Sequence, residues 1–441
     1  MPSKGIYLNP NKTWTELRVR TERSPFFQRM HKRILIVGGS VTGLTSAWLL
    51  LDLGYDVTII SDRYAPATQH PASRVKLPVH YGNILLRFVV STPTKVANLK
   101  VCSPYVRGSL VGNRTSDRRV FEDLALGYRD DGHGISLLMA NFFFTKRLNH
   151  PDMHGQLEKM KEIEKVRIPK FRYDPALIEG HSIPPEAMSL MHTSTKHQLY
   201  IDTDAYLVCL KALVADKGAI IETLEEQLEG DLFDQEDRLL TKYHADAILN
   251  ATGLGANELA NDPTVYPVRG SLLRVKNDGR YFPRITEVLA VSNTDINKSD
   301  DIVFIVPRNE HTLLLGGSVE SHKWSLALTE ETKLVKEMRE RCENFIPALK
   351  HAERDEVPFV QGLRPFRMGS SRIEADGRIH NDGKSSRIVH AYGHGGSGFT
   401  LSFGSALLTF KLLDHLLENT LAGKIVDGNG VHHNDCLMVT I

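Results

Sequence analysis

The chain has 441 residues, with 54 Lys and Arg against 53 Asp and Glu, and a formal net charge of +1 at pH 7. At 41% hydrophobic and 24% charged it is long enough to bury a large core and suits two domains. The even charge offers no electrostatic footprint for nucleic acid, and no apolar run approaches the roughly 20 residues that span a bilayer, so neither nucleic acid nor a membrane is an expected partner.

The first 32 residues are basic, with only Glu16 and Glu22 acidic, and read as an N-terminal extension. A disordered tail or a gene-model extension is the plainer account, and a mitochondrial presequence the weaker one. Residues 33–62 then form one strand–turn–helix–strand unit. Residues 34–37 are an apolar run suited to a strand buried on both faces, Gly38 and Gly43 bracket a tight turn, and residues 44–53 are apolar at helical spacing. Gly54 stops the helix, residues 57–60 form a second buried strand, and Asp62 follows 19 residues beyond Gly43. Such a unit seats a dinucleotide pyrophosphate on a helix N-terminus and a ribose on the acid. Gly38, Gly39, Ser40, Val41, Thr42, Gly43 and Asp62 are the candidate binding residues. Ser40 stands where the G-x-G-x-x-G pattern has its second glycine: its Cβ crowds a phosphate, while its hydroxyl can donate to one. A nucleotide-free unit of the same shape is the bland alternative.

Residues 74–118 carry no readable element, and residues 158–165 are charged at helical spacing, a solvated helix face. Residues 205–215 read as an amphipathic helix with Asp204 as N-cap, and residues 245–253 as a buried strand entering a glycine turn. Segments 271–275, 302–306 and 312–315 alternate as in an antiparallel sheet. Residues 330–345 read as a helix with Thr329 as N-cap, residues 387–392 as a buried strand, and residues 399–417 as a closing helix. The fold class expected is α/β: a Rossmann-type domain interleaved with an antiparallel-sheet (α+β) substrate domain.

Between the last strand and helix lies Gly393-His394-Gly395-Gly396-Ser397-Gly398. A glycine loop feeding a helix is an anion-receptive N-terminus, and in a flavoenzyme it suits the N1–C2=O edge that gains charge on reduction. A plain tight turn is the alternative. Arg364, in Gly362-Leu363-Arg364-Pro365, sits on a segment stiffened by proline, where a guanidinium can hold a carboxylate through two parallel hydrogen bonds. A surface ion pair is the ordinary role of a lone arginine. The four cysteines, Cys102, Cys209, Cys342 and Cys436, form no C-x-x-C pair, so no metal or disulfide framework is expected and a reducing compartment fits.

Three segments together resemble one family, the D-amino-acid oxidases of the glycine-oxidase/D-amino-acid-oxidase class of FAD enzymes, and the fungal branch most. They are Ile248-Leu249-Asn250-Ala251-Thr252-Gly253-Leu254-Gly255-Ala256 with Pro267-Val268-Arg269-Gly270, then Gly362-Leu363-Arg364-Pro365 through Arg372-Ile373-Glu374, then Val389-His390-Ala391-Tyr392-Gly393-His394-Gly395-Gly396-Ser397-Gly398-Phe399-Thr400. Ser61-Asp62-Arg63-Tyr64-Ala65-Pro66 fits as well. The likeness covers about residues 33–70 and 135–420.

The resemblance implies a non-covalent FAD. Gly39, Ser40, Val41 and Thr42 would lie along the pyrophosphate, Asp62 and Arg63 at the adenosine ribose and phosphate, and Thr252 and Gly253 near the adenosine side. Gly395, Gly396, Ser397, Gly398, Phe399 and Thr400 would lie at the flavin ring. Arg364 would hold the substrate α-carboxylate and the Gly396 carbonyl would receive the α-amino group. The reaction implied is hydride transfer from Cα to flavin, giving an imino acid that hydrolyses to a 2-oxo acid and ammonia, with molecular oxygen taking the electrons to give hydrogen peroxide.

The resemblance also has departures. No Ala-Gly-x-x-Trp stretch follows the second strand, where Pro71-Ala72-Ser73 runs into the unpatterned 74–118 segment, a retained intron or a divergent loop. The family's active-site tyrosines fall on Phe304 and near Asp300, so a hydroxyl to the substrate carboxylate is missing. That leaves a second reading open, an FAD oxidoreductase acting on another amine or amino-acid-derived intermediate in a biosynthetic pathway, with Phe142, Phe143 and Phe144 lining an apolar pocket or packing a core. A third is an inactive relative with a damaged flavin site. The implied organisation is an FAD-binding domain of residues 33–73, 200–262 and 362–441, a substrate domain of 120–199 and 263–361, and 74–119 unassigned. The partners expected are a small amino-acid substrate and oxygen, with a homodimer left open. The C-terminal Leu-Met-Val-Thr-Ile is no Ser-Lys-Leu-type signal, and the compartment expected is cytoplasmic or peroxisomal.

Overall fold

A computed structural model describes residues 32–64, 134–144, 171–173, 191–292 and 303–422. The expected helix at 158–165, the 74–118 segment and Asp300 lie outside the described residues. Two sheets organise the rest, and both contain helices on their flanks, so the chain is α/β with mixed parallel and antiparallel strands.

The first sheet has six strands: β1 (Arg33–Val37), β2 (Asp56–Ser61), β6 (Ile220–Thr223), β7 (Ala247–Asn250), β14 (Arg372–Ala375) and β15 (Ile388–Tyr392), in the order β14-β15-β7-β1-β2-β6. Every pair is parallel except β14 with β15. The continuous apolar runs of β1, β7 and β15 follow from burial on both faces. Ile34 and Ile36 pack on helix α1 (Val41–Asp52) through Leu44, Ala47 and Leu50. Leu35 and Val37 point the other way, to Leu239 and Leu240 of α3 (Glu236–Lys242), a short helix that the sequence pattern did not reveal.

Helix boundaries differ from the sequence expectations in three places. Helix α2 spans Thr203–Asp216, and its N-cap is Asp202, not Asp204: the Asp202 carboxylate accepts from the backbone N–H groups of Asp204 and Ala205 at 3.1 and 3.3 Å. Asp204 becomes a first-turn acid, which the helix dipole also favours. Helix α5 (Lys333–Phe345) is preceded by Thr332 as N-cap, while Thr329 lies one turn earlier, its N–H donating to the Thr332 hydroxyl at 3.0 Å. The closing helix α6 spans Ser402–Ala422, because Gly395–Ser397 first makes a separate 3₁₀ turn. The remaining short helix is α4 (Ala256–Leu259).

The second sheet has nine strands. They are β3 (Ile135–Phe144), β4 (Phe171–Tyr173), β5 (Met191–Ile201), β8 (Val265–Lys276), β9 (Val288–Ser292), β10 (Val303–Pro307), β11 (Thr312–Gly316), β12 (Glu320–Ser321) and β13 (Arg354–Arg367). Helix α5 covers one face, burying Val335, Met338, Cys342 and Phe345 against Leu273, Val275, Ile305 and Leu315. Phe143 belongs to this core, edge-on to Phe345 at 5.3 Å, so its role is packing.

Strand alternation puts the intervening residues on the opposite face. Phe304 pairs with Gly316, Gly316 with Leu272, and Leu272 with Val360, while Gly362 pairs with Gly270 and Arg364 with Val268. Phe304 and Arg364 therefore share the face away from α5. The two sheets are tied together by Arg308, which reaches Asp202 and Asp204 at 2.6 Å each, and by Arg274, which reaches Asp204 at 3.4 Å.

Candidate cofactor cleft

A cleft of about 600 Å³ opens at the carboxyl ends of β1, β2, β7 and β15. Ligands of open α/β sheets bind at this edge. Its walls include Gly38, Gly39, Ser40, Val41 and Thr42 from the first turn, Asp62 and Arg63 after β2, Thr252 and Gly253 after β7, and Gly395 and Gly398 after β15.

The turn is tight for steric reasons. Gly38 has φ +120°, and a Cβ there would stand 2.4 Å from the Ala251 carbonyl oxygen. A Cβ on Gly43 would meet the Gly38 carbonyl oxygen at 1.9 Å, so Gly43 lies behind the cleft and sets how closely helix and strand approach. Ser40 is the N-cap residue of α1 in extended conformation, and its side chain makes no capping hydrogen bond. The first turn of α1 also carries no acid, so the positive end of the helix dipole faces the cleft uncompensated.

The Asp62 carboxylate accepts from Gln227 Nε2 at 2.9 Å. Tyr64 lies against Gly39, where a Cβ would fall 2.3 Å from its ring. Its hydroxyl lies 3.0 Å from the carbonyls of both Ile59 and Glu222, which share its one proton, and burial, aided by Glu222, pushes its pKa far above the ordinary tyrosine value. Tyr64, Gln227, Leu224 and Leu228 line this end; of these only Tyr64 falls in a segment that carries the resemblance, and with no role of its own there. Tyr64 directly follows the Asp62-Arg63 pair and was the one within reach of pattern reading. Gln227 sits in a polar loop with no signal.

At the other end, β13 meets the glycine loop. A Cβ on Gly395 would stand 3.0 Å from the Phe366 ring, and Phe366 makes an isolated bridge with His394. The side chain of Arg364 crosses Gly270, where an added Cβ would lie 2.3 Å from Nη1, and its Cδ is 3.8 Å from the Cβ position of Gly396. A Cβ on Gly398 would in turn stand 3.6 Å from the Val41 side chain, so the C-terminal loop abuts the N-terminus of α1. Gly396, Ser397 and Thr400 are half-buried beside this junction and Phe399 is buried, its ring packed on Tyr206 at 6.1 Å. Phe304 stays on the same sheet face as Arg364 but away from the cleft walls.

Two buried acids, Asp262 and Asp376, bond to Tyr392 and His390 of β15. Burial opposes ionisation of Asp262, yet hydrogen bonds from Thr264, Arg367 and Tyr392 outweigh it and lower its pKa to about 2. Burial raises the Tyr392 hydroxyl to about 12. Asp376 is held well below the carboxylate range, because the bonds from His390 and Arg378 exceed its burial cost. Among the described residues no group of three or more His, Cys, Asp or Glu could hold a metal ion.

A family model described as FAD dependent oxidoreductase matches residues 141–412, more than half of the chain. The chain belongs to this FAD-dependent oxidoreductase family. The residues present fit FAD: a cleft of dinucleotide size runs from an uncapped helix N-terminus past an acid to a second glycine loop. A D-amino-acid oxidase from Streptomyces coelicolor is 37% identical over 374 residues, covering 85% of this chain and 94% of its own. A D-amino-acid oxidase from Dictyostelium discoideum is 33% identical over 222 residues, 50% of this chain and 56% of that relative, so there the chain spans about half the relative's length. The crystal structure of glycine oxidase from Geobacillus kaustophilus superposes with a TM-score of 0.63 over 88% of this chain and 95% of that one. At 17% identity that likeness concerns the fold.

Proposed function

We propose that the protein is an FAD-dependent D-amino-acid oxidase, converting a D-amino acid, oxygen and water to a 2-oxo acid, ammonia and hydrogen peroxide. The observation that carries this is the placing of Arg364 beside Gly396, a carboxylate-binding guanidinium next to the glycine loop at one end of the cofactor cleft. FAD, when bound, supplies the two-electron acceptor for the hydride of the substrate α-carbon and passes the electrons to oxygen.

The chain's residues then orient and desolvate. Arg364 holds the α-carboxylate through paired N–H donors, which fixes both position and rotation. The Gly396 carbonyl accepts from the α-amino group, and the carboxylate and amine together aim the α-hydrogen. Gly38 to Thr42 present backbone N–H groups and the helix dipole to the pyrophosphate, and Asp62 with Arg63 serves the ribose. Ser397 to Thr400 supply backbone at the flavin ring. The FAD-binding domain comprises residues 33–73, 200–262 and 362–441, and the substrate domain 120–199 and 263–361. The boundary at 362 falls inside β13, whose residues up to Arg367 stay paired with β8 of the second sheet. A homodimer and a cytoplasmic or peroxisomal location complete this reading.

Phe304 favours a second reading. It is a buried ring on the substrate face with no hydroxyl to offer a carboxylate, which suits another amine or amino-acid-derived substrate. Anaerobic mixing separates the two. D-amino acids should bleach the flavin absorbance of the purified protein, and L-amino acids should not. Bleaching only by other amines would support the second reading. Arg364→Ala should retain FAD and lose at least a hundredfold in the rate of bleaching, about 3 kcal/mol of lost orientation and charge pairing. Unchanged bleaching by that variant would remove the carboxylate role.

A further inference from the structure

A buried polar chain leads from the edge of the first sheet to the cleft wall. Asp231 and Asp376 both hold Arg378; Asp376 Oδ2 meets His390 Nε2 at 3.2 Å; His390 Nδ1 meets Asn250 Nδ2 at 3.2 Å. Asn250 Oδ1 then receives the Thr252 backbone N–H at 3.2 Å and the Thr252 hydroxyl at 2.7 Å. His390 and Asn250 are wholly excluded from solvent, and Thr252 lines the cleft.

The direction of each bond follows from one end. Asp376, ionised and gripped by Arg378, can only accept, so His390 Nε2 carries the proton. Burial lowers the His390 pKa despite the Asp376 hydrogen bond, which keeps the ring neutral and leaves Nδ1 as an acceptor. The Asn250 amide must therefore donate from Nδ2 and turn Oδ1 towards Thr252. The Thr252 hydroxyl proton is spoken for inside the wall, and only its lone pairs are left for the cleft.

We propose that Asp376, His390 and Asn250 are positioning residues that set the Thr252 hydroxyl as a hydrogen-bond acceptor towards the cofactor. The group seated against Thr252 is accordingly a donor, a ribose or ribityl hydroxyl, and not a phosphate oxygen. This rests on the reading of the cleft as the FAD seat.

Protonating His390 reverses the order. Nδ1–H would donate to Asn250 Oδ1, the amide would turn over, and the Thr252 proton would be released into the cleft. The charged groups near His390 are Asp376 with its partner Arg378, and Arg372 and Glu374 of β14. Its neutral neighbours are Asn250 of β7 and Tyr392, whose ring lies edge-on at 5.6 Å. A glutamine at 390 keeps the native order without titrating, donating from Nε2 to Asp376 and accepting at Oε1 from Asn250.

The test is FAD titration of the apoprotein made from the full chain, read by quenching of flavin fluorescence. Thr252→Val and His390→Leu should each weaken FAD about tenfold, one neutral hydrogen bond with its orientation lost. Thr252→Ser and His390→Gln should stay within about twofold. Wild-type affinity should fall only once pH drops below the ordinary imidazole range, where a ring whose pKa is lowered by burial gains its proton, and His390→Gln should not show that fall. If His390→Leu does not fold, Thr252→Val and the His390→Gln pH profile decide the matter. Thr252→Val binding FAD as tightly as wild type, or His390→Gln following the wild-type pH profile, overturns the inference and leaves the FAD reading standing. A wild-type chain that takes up no FAD overturns both.

Discussion

At the residue scale, the glycines of the first turn do separate jobs. Gly43 spaces helix from strand, and its added Cβ would meet a backbone oxygen that cannot move aside. Gly43→Ala should therefore lower stability by about 3 kcal/mol or more and reduce FAD retention with it, as a shift in thermal midpoint and in flavin content of the purified protein. Gly39 has a different neighbour, the Tyr64 ring, whose one hydroxyl proton two carbonyls share. These positions were legible as a pattern because glycine spacing is a one-dimensional signature. Tyr64 as the lid over Gly39 was not, since it depends on where the chain turns after β2. Ser40 is the one mismatch to the glycine pattern of the first turn, and it lines the cleft without its side chain serving the helix as a cap.

At the element scale, parallel strands were readable and the antiparallel sheet only in part. The runs in β1, β2, β7 and β15 are apolar on both faces and announce themselves. Strand β13 has no such run: it holds Gly362 and Arg364 on the face turned away from α5. Helix α5 shows how firmly that sheet is backed. Phe345 is buried against Phe143 and the strands beneath, so Phe345→Ala should cost about 3–5 kcal/mol in urea unfolding. The FAD affinity of the folded fraction should hold, because most of the cleft wall comes from the other sheet and Phe345 is not among its lining residues. The same core takes Cys342, whose thiol burial pushes up to about 11, leaving it unreactive at neutral pH.

At the scale of the whole molecule, the sheets are joined by charge as well as by packing. Arg308 is buried between Asp202, the cap of α2, and Asp204, with Arg274 behind. Removing the guanidinium leaves Asp202 beside Asp204 with only Arg274, 3.4 Å from Asp204, as a counter-charge. Arg308→Met should thus destabilise the chain by about 3–5 kcal/mol in denaturant titration, a larger loss than a surface pair would show.

The sequence by itself determined the parallel sheet, the glycine turn at 38–43, the acid at Asp62, the second glycine loop and the arginine at 364. Each is encoded locally, by apolar periodicity or by residues whose backbone or charge has few alternative uses. Tertiary structure alone decided that Arg364 reaches Gly396, that Gly398 abuts Val41, and that Thr252 is ordered by a histidine far along the chain. Those juxtapositions come from the pairing of β13 with β8 and of β15 with β7, long-range registers that no local pattern specifies.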